Sequence, residues 1–129
     1  MMKKIDIEEL IPNNFSFNGY ALFRGCKGIN TIDFIDFNTS IIYNMSYMFY
    51  DCISLTQIKN LSPVNSQDMS YLFYNCYNLN LVNFIFPENM TSNKVTNMES
   101  MFKECNTLFG IFLDMNFLYL LLKFFKNIL

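Results

Sequence analysis

Hydrophobic and polar positions follow one pattern that recurs four times along the chain. In each copy a polar residue is followed by a small or apolar one and then by an apolar pair that ends in Phe. A cysteine follows three residues after that Phe. The copies read NGYALFRGCKGI from Asn18, NMSYMFYDCISL from Asn44, DMSYLFYNCYNL from Asp68 and NMESMFKECNTL from Asn97. A period of about 20 to 50 residues is typical of units that stack and share one core. The pattern therefore predicts a repeat protein.

Each repeat combines two hydrophobic periods. Met45, Met48, Phe49 and Cys52 have the i, i+3, i+4, i+7 spacing of one helix face, which predicts about two helical turns. The polar residue in front occupies the N-cap position, where a side chain accepts a backbone N–H: Asn18, Asn44, Asp68 and Asn97. After each cysteine, the pattern L-x-x-I-x-F ends in the alternation typical of a short strand with one buried face. The second copy, Leu55-x-x-Ile58-x-x-Leu61, slips by one residue.

Together these elements predict an α/β solenoid of about four coils, each with a short helical turn and a short strand, and a narrow parallel sheet. We expect residues 1–17 to be an N-terminal cap or partial repeat, residues 18–113 the four-repeat solenoid and residues 114–129 a C-terminal amphipathic helix. Cys26, Cys52, Cys76 and Cys105 are separated by steps of 26, 24 and 29 residues. The longest step carries an extra PENMT segment, which we place in a loop because loops absorb changes of length.

One Phe recurs at the same position of every repeat: Phe23, Phe49, Phe73 and Phe102. A Met-rich and Phe-rich column can form an adaptable binding groove. Recurrence at one position of the repeat instead favours a stacked core, to which each buried Phe contributes about 1.5 to 3 kcal/mol.

Composition narrows the range of functions. The chain is 52% hydrophobic and 18% aromatic with only 16% charged residues, which indicates a folded protein. The net charge is -2 at pH 7 and the basic residues are dispersed, so we expect no nucleic-acid partner. The chain has no His, which excludes catalytic triads and mixed Cys/His zinc sites. We therefore expect no enzyme activity and no cofactor.

The four cysteines are the residues closest to a metal-ligand set. Structural zinc sites usually draw on CxxC-type pairs, whereas these cysteines are single and a whole repeat apart. We predict buried thiols; a disulfide between adjacent coils and a metal site are the alternatives. Asp33, Asp36, Asp51, Asp68, Glu99 and Glu104 occupy different positions of the repeat and form no catalytic carboxylate pair.

The repeat motif N-M-S-x-M-F-x-x-C-x-x-L-x-x-I resembles that of the BspA-type leucine-rich-repeat surface proteins, in the version found in mycoplasma-type lipoproteins. The segments FNTS at 37–40 and TSNKVTNM at 91–98 carry the resemblance into the following repeats. It covers about residues 18–113. The resemblance implies a leucine-rich-repeat-like solenoid, cell-surface display and adhesion to host or neighbouring-cell proteins, without enzyme activity.

Cellular location stays open at this point. No signal peptide is visible, because Asp6, Glu8 and Glu9 interrupt the first residues where a secretory segment needs an apolar run. The alternative function is that of an intracellular scaffold or adaptor that uses the same repeat surface.

Outward strand positions are the candidate partner-binding residues. One residue per coil at equal spacing forms a broad, rigid surface. These positions are Thr31 and Asp33, Gln57 and Lys59, Leu81 and Asn83, and also Gly110 and Phe112.

The last segment predicts an amphipathic helix. Leu118, Leu121, Leu122 and Phe125 lie on one side, and Asn116, Tyr119, Lys123, Lys126 and Asn127 lie on the other. We expect this helix to cap the open end of the solenoid. Membrane contact through residues 115–129, in the membrane plane or as an anchor, is the alternative.

Overall fold

Parallel strands from successive repeats lie side by side in the computed structural model, which describes residues 16–86, 94–112 and 115–129. The strands are β1 Phe17–Asn18, β2 Thr31–Asp33, β3 Ile42–Asn44, β4 Gln57–Leu61, β5 Leu81–Phe84 and β6 Gly110–Phe112. A 3₁₀ helix spans Thr39–Ile41, and two α-helices follow, α1 Met115–Lys123 and α2 Phe125–Ile128. Nearly all of the predicted N-terminal cap and the PENMT segment lie outside the described residues.

The main sheet has four strands in the order β2-β4-β5-β6, and every described pair is parallel. The register aligns equivalent residues of successive repeats: Thr31 with Gln57, Leu81 and Gly110, and Ile32 with Ile58, Val82 and Ile111. A second, two-stranded parallel sheet joins β1 to β3. The leucine-rich-repeat-like solenoid as a whole stays a prediction.

A β-bulge interrupts β4 where the sequence slips by one residue. The register between β4 and β5 shifts between Ile58 and Leu61, and Asn60 has a positive φ of 60°. A bulge places one extra residue in a strand, and Asn tolerates the left-handed conformation better than most residues do. The slipped spacing of the second copy is therefore the sequence signal of this bulge.

The prediction of two helical turns in each repeat is wrong. The segments from 19 to 26, 45 to 52, 69 to 76 and 98 to 105 form successive turns and no α-helix. Two residues in each segment have a positive φ, which ends a right-handed helix: Ala21 and Gly25, Tyr47 and Asp51, Tyr71 and Asn75, Ser100 and Glu104. Such a residue fits the third position of a type II turn. The i, i+3 spacing of the apolar residues therefore reflects consecutive turns and not an α-helix.

The predicted N-cap residues still accept backbone N–H groups. The side-chain oxygen of Asn44 accepts from the N–H of Ser46 at 2.9 Å, and that of Asp68 accepts from Ser70 at 2.8 Å. Asn18 and Asn97 make the equivalent contacts with Tyr20 and Glu99. A bond to the residue two positions on defines an Asx turn, so these side chains start a turn segment here.

Backbone amides in the turn segments alternate between two kinds of partner. The N–H groups of Met45, Tyr47, Phe49 and Asp51 donate to carbonyl oxygens of the following repeat, at 2.9 to 3.0 Å. Those of Met48, Tyr50 and Cys52 donate to the carbonyl three residues earlier, at 3.2 Å. The same alternation recurs between the first and second repeats and between the third and fourth. Neighbouring repeats are thus joined by backbone hydrogen bonds in the turns as well as in the sheet.

The hydrophobic core runs through the interior as columns of equivalent residues. The Phe rings stack nearly parallel, with centroids 5.4 Å apart for Phe23 and Phe49 and for Phe49 and Phe73, and 5.5 Å apart for Phe73 and Phe102. Met48, Leu72 and Met101 form a second buried column. The equivalent residue of the first repeat, Leu22, is 44% exposed. The two middle repeats therefore hold the best-buried part of the core.

The C-terminal helices lie against the fourth repeat. The N–H of Phe102 donates to the carbonyl of Ile128 at 3.0 Å, and the N–H of Ser100 donates to that of Asn127. These bonds replace the ones that a following repeat would accept. The helical segment is broken at Phe124, and Leu122, which we expected on the apolar side, is 65% exposed.

Replacing Phe73 tests the stacked core. Phe73 is fully buried between two other rings, so Phe73→Ala should lower the free energy of unfolding by about 3 to 5 kcal/mol. Phe109→Ala is the matched control, because Phe109 is 81% exposed and its loss should change stability by less than about 0.5 kcal/mol. Urea unfolding measures both. Equal effects of the two substitutions would contradict the stacked core.

Candidate functional site: two exposed faces

The predicted partner-binding residues lie together on the outer side of the main sheet. Thr31, Gln57 and Leu81 are neighbours in register, and Asp33 lies beside Lys59. Asp33 and Lys59 are exposed, whereas Thr31, Gln57, Leu81 and Asn83 are only half-buried. Gly110 continues the row at β6, and Phe112 pairs with Asn83. We call the residues Thr31, Asp33, Gln57, Lys59, Leu81 and Asn83 the sheet face.

Two of the sheet-face residues also hold the bulge in β4. The carboxylate of Asp33 accepts from the side-chain amide of Asn60 at 2.8 Å and from the N–H of Ile35 at 3.0 Å. The side-chain oxygen of Asn83 accepts from the N–H of Asn60 at 2.9 Å. Asp33 and Asn83 therefore have a structural role, and Lys59 is the exposed charge on this face that remains for a partner.

A second surface, which sequence analysis missed, lies on the turn segments, where one tyrosine is exposed and four are half-buried. We call Tyr20, Tyr47, Tyr50, Tyr71 and Tyr74 the tyrosine cluster. Tyr47 stacks on Tyr71, and Tyr50 on Tyr74, each pair with centroids 4.8 Å apart. Tyr20 meets the edge of Tyr47 at 5.6 Å. The signal was present in the sequence, because the two stacked pairs occupy matching positions of the second and third repeats.

Arg24 extends the tyrosine cluster toward the first repeat. Its guanidinium carbon lies 4.7 Å from the ring centre of Tyr50 and 5.6 Å from that of Tyr47. A cation over an aromatic face is attracted by the negative charge of that face. Arg24 occupies the position of the repeat that Tyr50, Tyr74 and Lys103 occupy in the later ones, so one column runs from Arg24 through two tyrosines to Lys103.

Two phenols of the cluster have a raised pKa. Desolvation is the largest cause for both Tyr47 and Tyr50, followed by Tyr71 for the first and by Asp51 for the second. Arg24 opposes the shift in each case. Like ordinary tyrosines, both hydroxyls are protonated at neutral pH and can donate hydrogen bonds, and the raised pKa extends this state to higher pH.

The cysteines form a column that is buried at Cys52 and Cys76 and half-buried at its ends, Cys26 and Cys105. The thiol of Cys52 donates to the carbonyl of Phe23 at 3.0 Å, and Cys76 and Cys105 bond in the same way to Phe49 and Phe73. All four cysteines are free. Burial raises the pKa of Cys52 and of Cys105 to about 12, and raises that of Cys76 as well. Their single file agrees with the predicted core thiols, and no disulfide joins the four cysteines in this structure.

A shallow cavity of about 350 Å³ lies beyond the end of β2. Its lining residues are Phe34, Ile35, Asp36, Phe37, Asn38, Thr39, Ser62 and Ile85. The hydroxyl oxygen of Thr39 accepts from the N–H of Ser62 at 2.6 Å, and Asn38 accepts from Ser40 at 3.1 Å. These polar groups already have partners that stabilise the 3₁₀ turn.

The described residues contain neither a group of metal ligands nor a helix that could span a membrane. Within residues 16–86, 94–112 and 115–129, no three Cys, Asp or Glu side chains are grouped so that they could hold a metal ion. In the same part of the chain, no helix combines the length and the apolar character that crossing a bilayer requires.

Comparison with known proteins gives one family. Residues 17–111 match the model of the family described as "Mycoplasma protein of unknown function, DUF285". No curated protein and no solved structure matches the chain. The matched range contains both exposed faces, the cysteine column and all but the last two residues of the four-repeat segment 18–113.

Alkylation of the thiols tests the buried column. At pH 8, iodoacetamide should leave Cys52, Cys76 and Cys105 unmodified in the folded protein, because only thiolates react and burial disfavours that form. In urea all four cysteines should react, as mass spectrometry of tryptic peptides would show. Rapid labelling of Cys76 in the folded state would contradict the burial.

The raised pKa values of the buried thiols predict that the folded protein loses stability at high pH. The unfolded thiols ionise near pH 9 while the folded ones stay protonated, so above that pH the unfolded state binds fewer protons. The contribution of the buried thiols is fully present below about pH 9 and is lost as pH rises toward about 12.

Proposed function

Because the chain belongs to the DUF285 family of mycoplasma proteins, we propose that it is a non-catalytic protein-interaction module of the adhesion type. In this proposal the repeats form a leucine-rich-repeat-like solenoid of the BspA type. The module is displayed at a cell surface and binds a host or neighbouring-cell protein through the sheet face.

The register of the main sheet is the observation that carries the proposal. Thr31, Gln57, Leu81 and Gly110 form one continuous row across four parallel strands. Hydrogen bonds on both sides fix the two middle strands, so a partner would meet a surface that is already ordered. Preorganisation of this kind favours binding because little conformational entropy is lost on association.

Side-chain chemistry on this face suits a protein partner. Lys59 is exposed beside Gln57, and Leu81 adds a half-buried apolar contact. A mixture of one charge, amides and an apolar side chain is typical of protein interfaces, whose rims are polar and whose centres are apolar. The described positive charges on this face are too few to track a phosphate backbone.

Binding of the purified chain to intact cells tests the proposal. Fluorescent protein should be retained on some members of a panel of cultured animal cells, and trypsin treatment of those cells should abolish retention. Lys59→Glu should weaken retention about tenfold, because a reversed contact charge removes attraction and adds repulsion. Flow cytometry across protein concentrations gives the apparent affinity.

The matched control is Lys94→Glu. Lys94 is also exposed but lies outside the strands, so its reversal changes net charge equally without touching the sheet face. Lys59 is preferred to Asp33 as the test position because Asp33 holds the bulge. Equal effects of the two reversals, or retention that survives trypsin, would contradict adhesion to a protein through this face.

A further inference from the structure

We propose that the tyrosine cluster and Arg24 form a second binding site, which takes an acidic segment of a partner protein by pairing a carboxylate with Arg24. This site lies on the turn segments, whereas the sheet face lies on the strands. It therefore goes beyond the interaction through the sheet face and is tested separately.

The geometry of Arg24 leaves its hydrogen-bond donors available. The guanidinium carbon lies over the ring of Tyr50, 4.7 Å from the ring centre. The guanidinium N–H groups point from the edge of its plane, in the fork that matches both oxygens of a carboxylate. Within the described residues Arg24 forms no ion pair. The contact with the tyrosines thus positions the guanidinium, and no charge partner for it lies among the described residues.

The arrangement of the rings favours a peptide over a sugar or a nucleobase. Sugars and bases bind tyrosine through the ring face. In the stacked pairs the planes differ by only 16° for Tyr47 and Tyr71 and by 9° for Tyr50 and Tyr74, so the rings cover one another's faces. Within each pair the facing sides of the rings are therefore closed to a ligand, whereas ring edges and hydroxyls are left for a partner. Such a surface supplies rigid apolar contact and hydrogen bonds to a peptide, as tyrosines do in antibody paratopes.

The charges around the cluster define where the acidic groups of the partner would lie. The column that begins at Arg24 ends at Lys103, whose side chain is also exposed. Its members are in register, because the N–H of Asp51 donates to the carbonyl of Tyr74 and that of Asn75 to the carbonyl of Lys103. At a strand spacing of about 4.8 Å, three steps separate the two cations by about 14 Å.

That separation selects a spacing in the partner. An extended peptide advances about 3.3 Å per residue, so acidic residues four positions apart would reach both cations. Two acidic groups lie at the cluster: Glu99 accepts from the hydroxyl of Tyr71 at 3.4 Å, and Asp51, whose charge acts on Tyr50, accepts from the side-chain amide of Asn75 at 2.9 Å. Both charges disfavour an acidic group at the middle of the cluster, which leaves its two ends, Arg24 and Lys103, for the carboxylates of the partner.

Peptide binding tests the site. The probe is the peptide acetyl-GEVYTEG-amide, with its two glutamates four positions apart, and the matched neutral probe is acetyl-GQVYTQG-amide. Isothermal titration calorimetry with the full chain should give saturable binding of the acidic peptide and at least about tenfold weaker binding of the neutral one. Binding should weaken as salt is raised, because the contact is exposed.

Arg24→Gln should weaken binding of the acidic peptide about tenfold, and Lys27→Gln should change it less than about twofold. Lys27 is an exposed cation of the same repeat that does not lie over the tyrosines. Arg24→Lys should restore only part of the affinity, because an ammonium group lacks the planar fork. Thermal melts show that each variant is folded.

Three outcomes would overturn the proposal: no saturable binding of the acidic peptide, equal effects of Arg24→Gln and Lys27→Gln, or tighter Arg24-dependent binding of a heparin oligosaccharide than of the peptide. Lys59→Glu should bind the peptide as the unaltered chain does. If Lys59→Glu loses retention on cells but still binds the peptide, then the sheet face and the tyrosine cluster are two separate binding sites.

Discussion

The alternation of backbone hydrogen bonds in the turn segments is the constraint on which the rest of the structure depends. Alternate amides, such as those of Tyr47 and Phe49, donate to the following repeat, and the amides between them close turns within their own repeat. This requires a residue with positive φ at two positions of each segment. Few buried amides can be left without a partner, so this pattern fixes the distance and register between repeats.

Both exposed faces follow from that register. Repeats held one strand spacing apart place equivalent side chains in contact, which is why Tyr47 and Tyr71 stack outside while Phe49 and Phe73 stack inside. The same register aligns the sheet face across four strands. Surfaces of this kind cost little to order on binding, which suits the proposed interaction module. Cys52, Cys76 and Cys105 occupy the interior of the same arrangement, where burial raises the pKa of each thiol.

The sequence predicted what depends on repetition and missed what depends on backbone conformation. Recurrence alone indicated the Phe column, the cysteine column and the residues of the sheet face. The i, i+3, i+4, i+7 spacing suggested a helix because a run of turns with i to i+3 hydrogen bonds places Met45 and Met48 at the same interval. Tyrosine rarely has a positive φ, so the residue type of Tyr47 gave no indication of the turn. The tyrosine cluster depends on these turns and was therefore not predicted, although its columns are visible in the aligned repeats.

Hydrogen exchange of backbone amides measures the central constraint most directly. Amides in exposed turns ordinarily exchange fast, whereas those bonded between packed elements open only with the fold. We predict that the amides of Met45, Tyr47, Phe49 and Asp51 exchange as slowly as that of Ile58 in the main sheet. If NMR shows these four amides exchanging at the rate of an unstructured peptide while Ile58 stays protected, the repeats are not joined through their turns and the account is wrong.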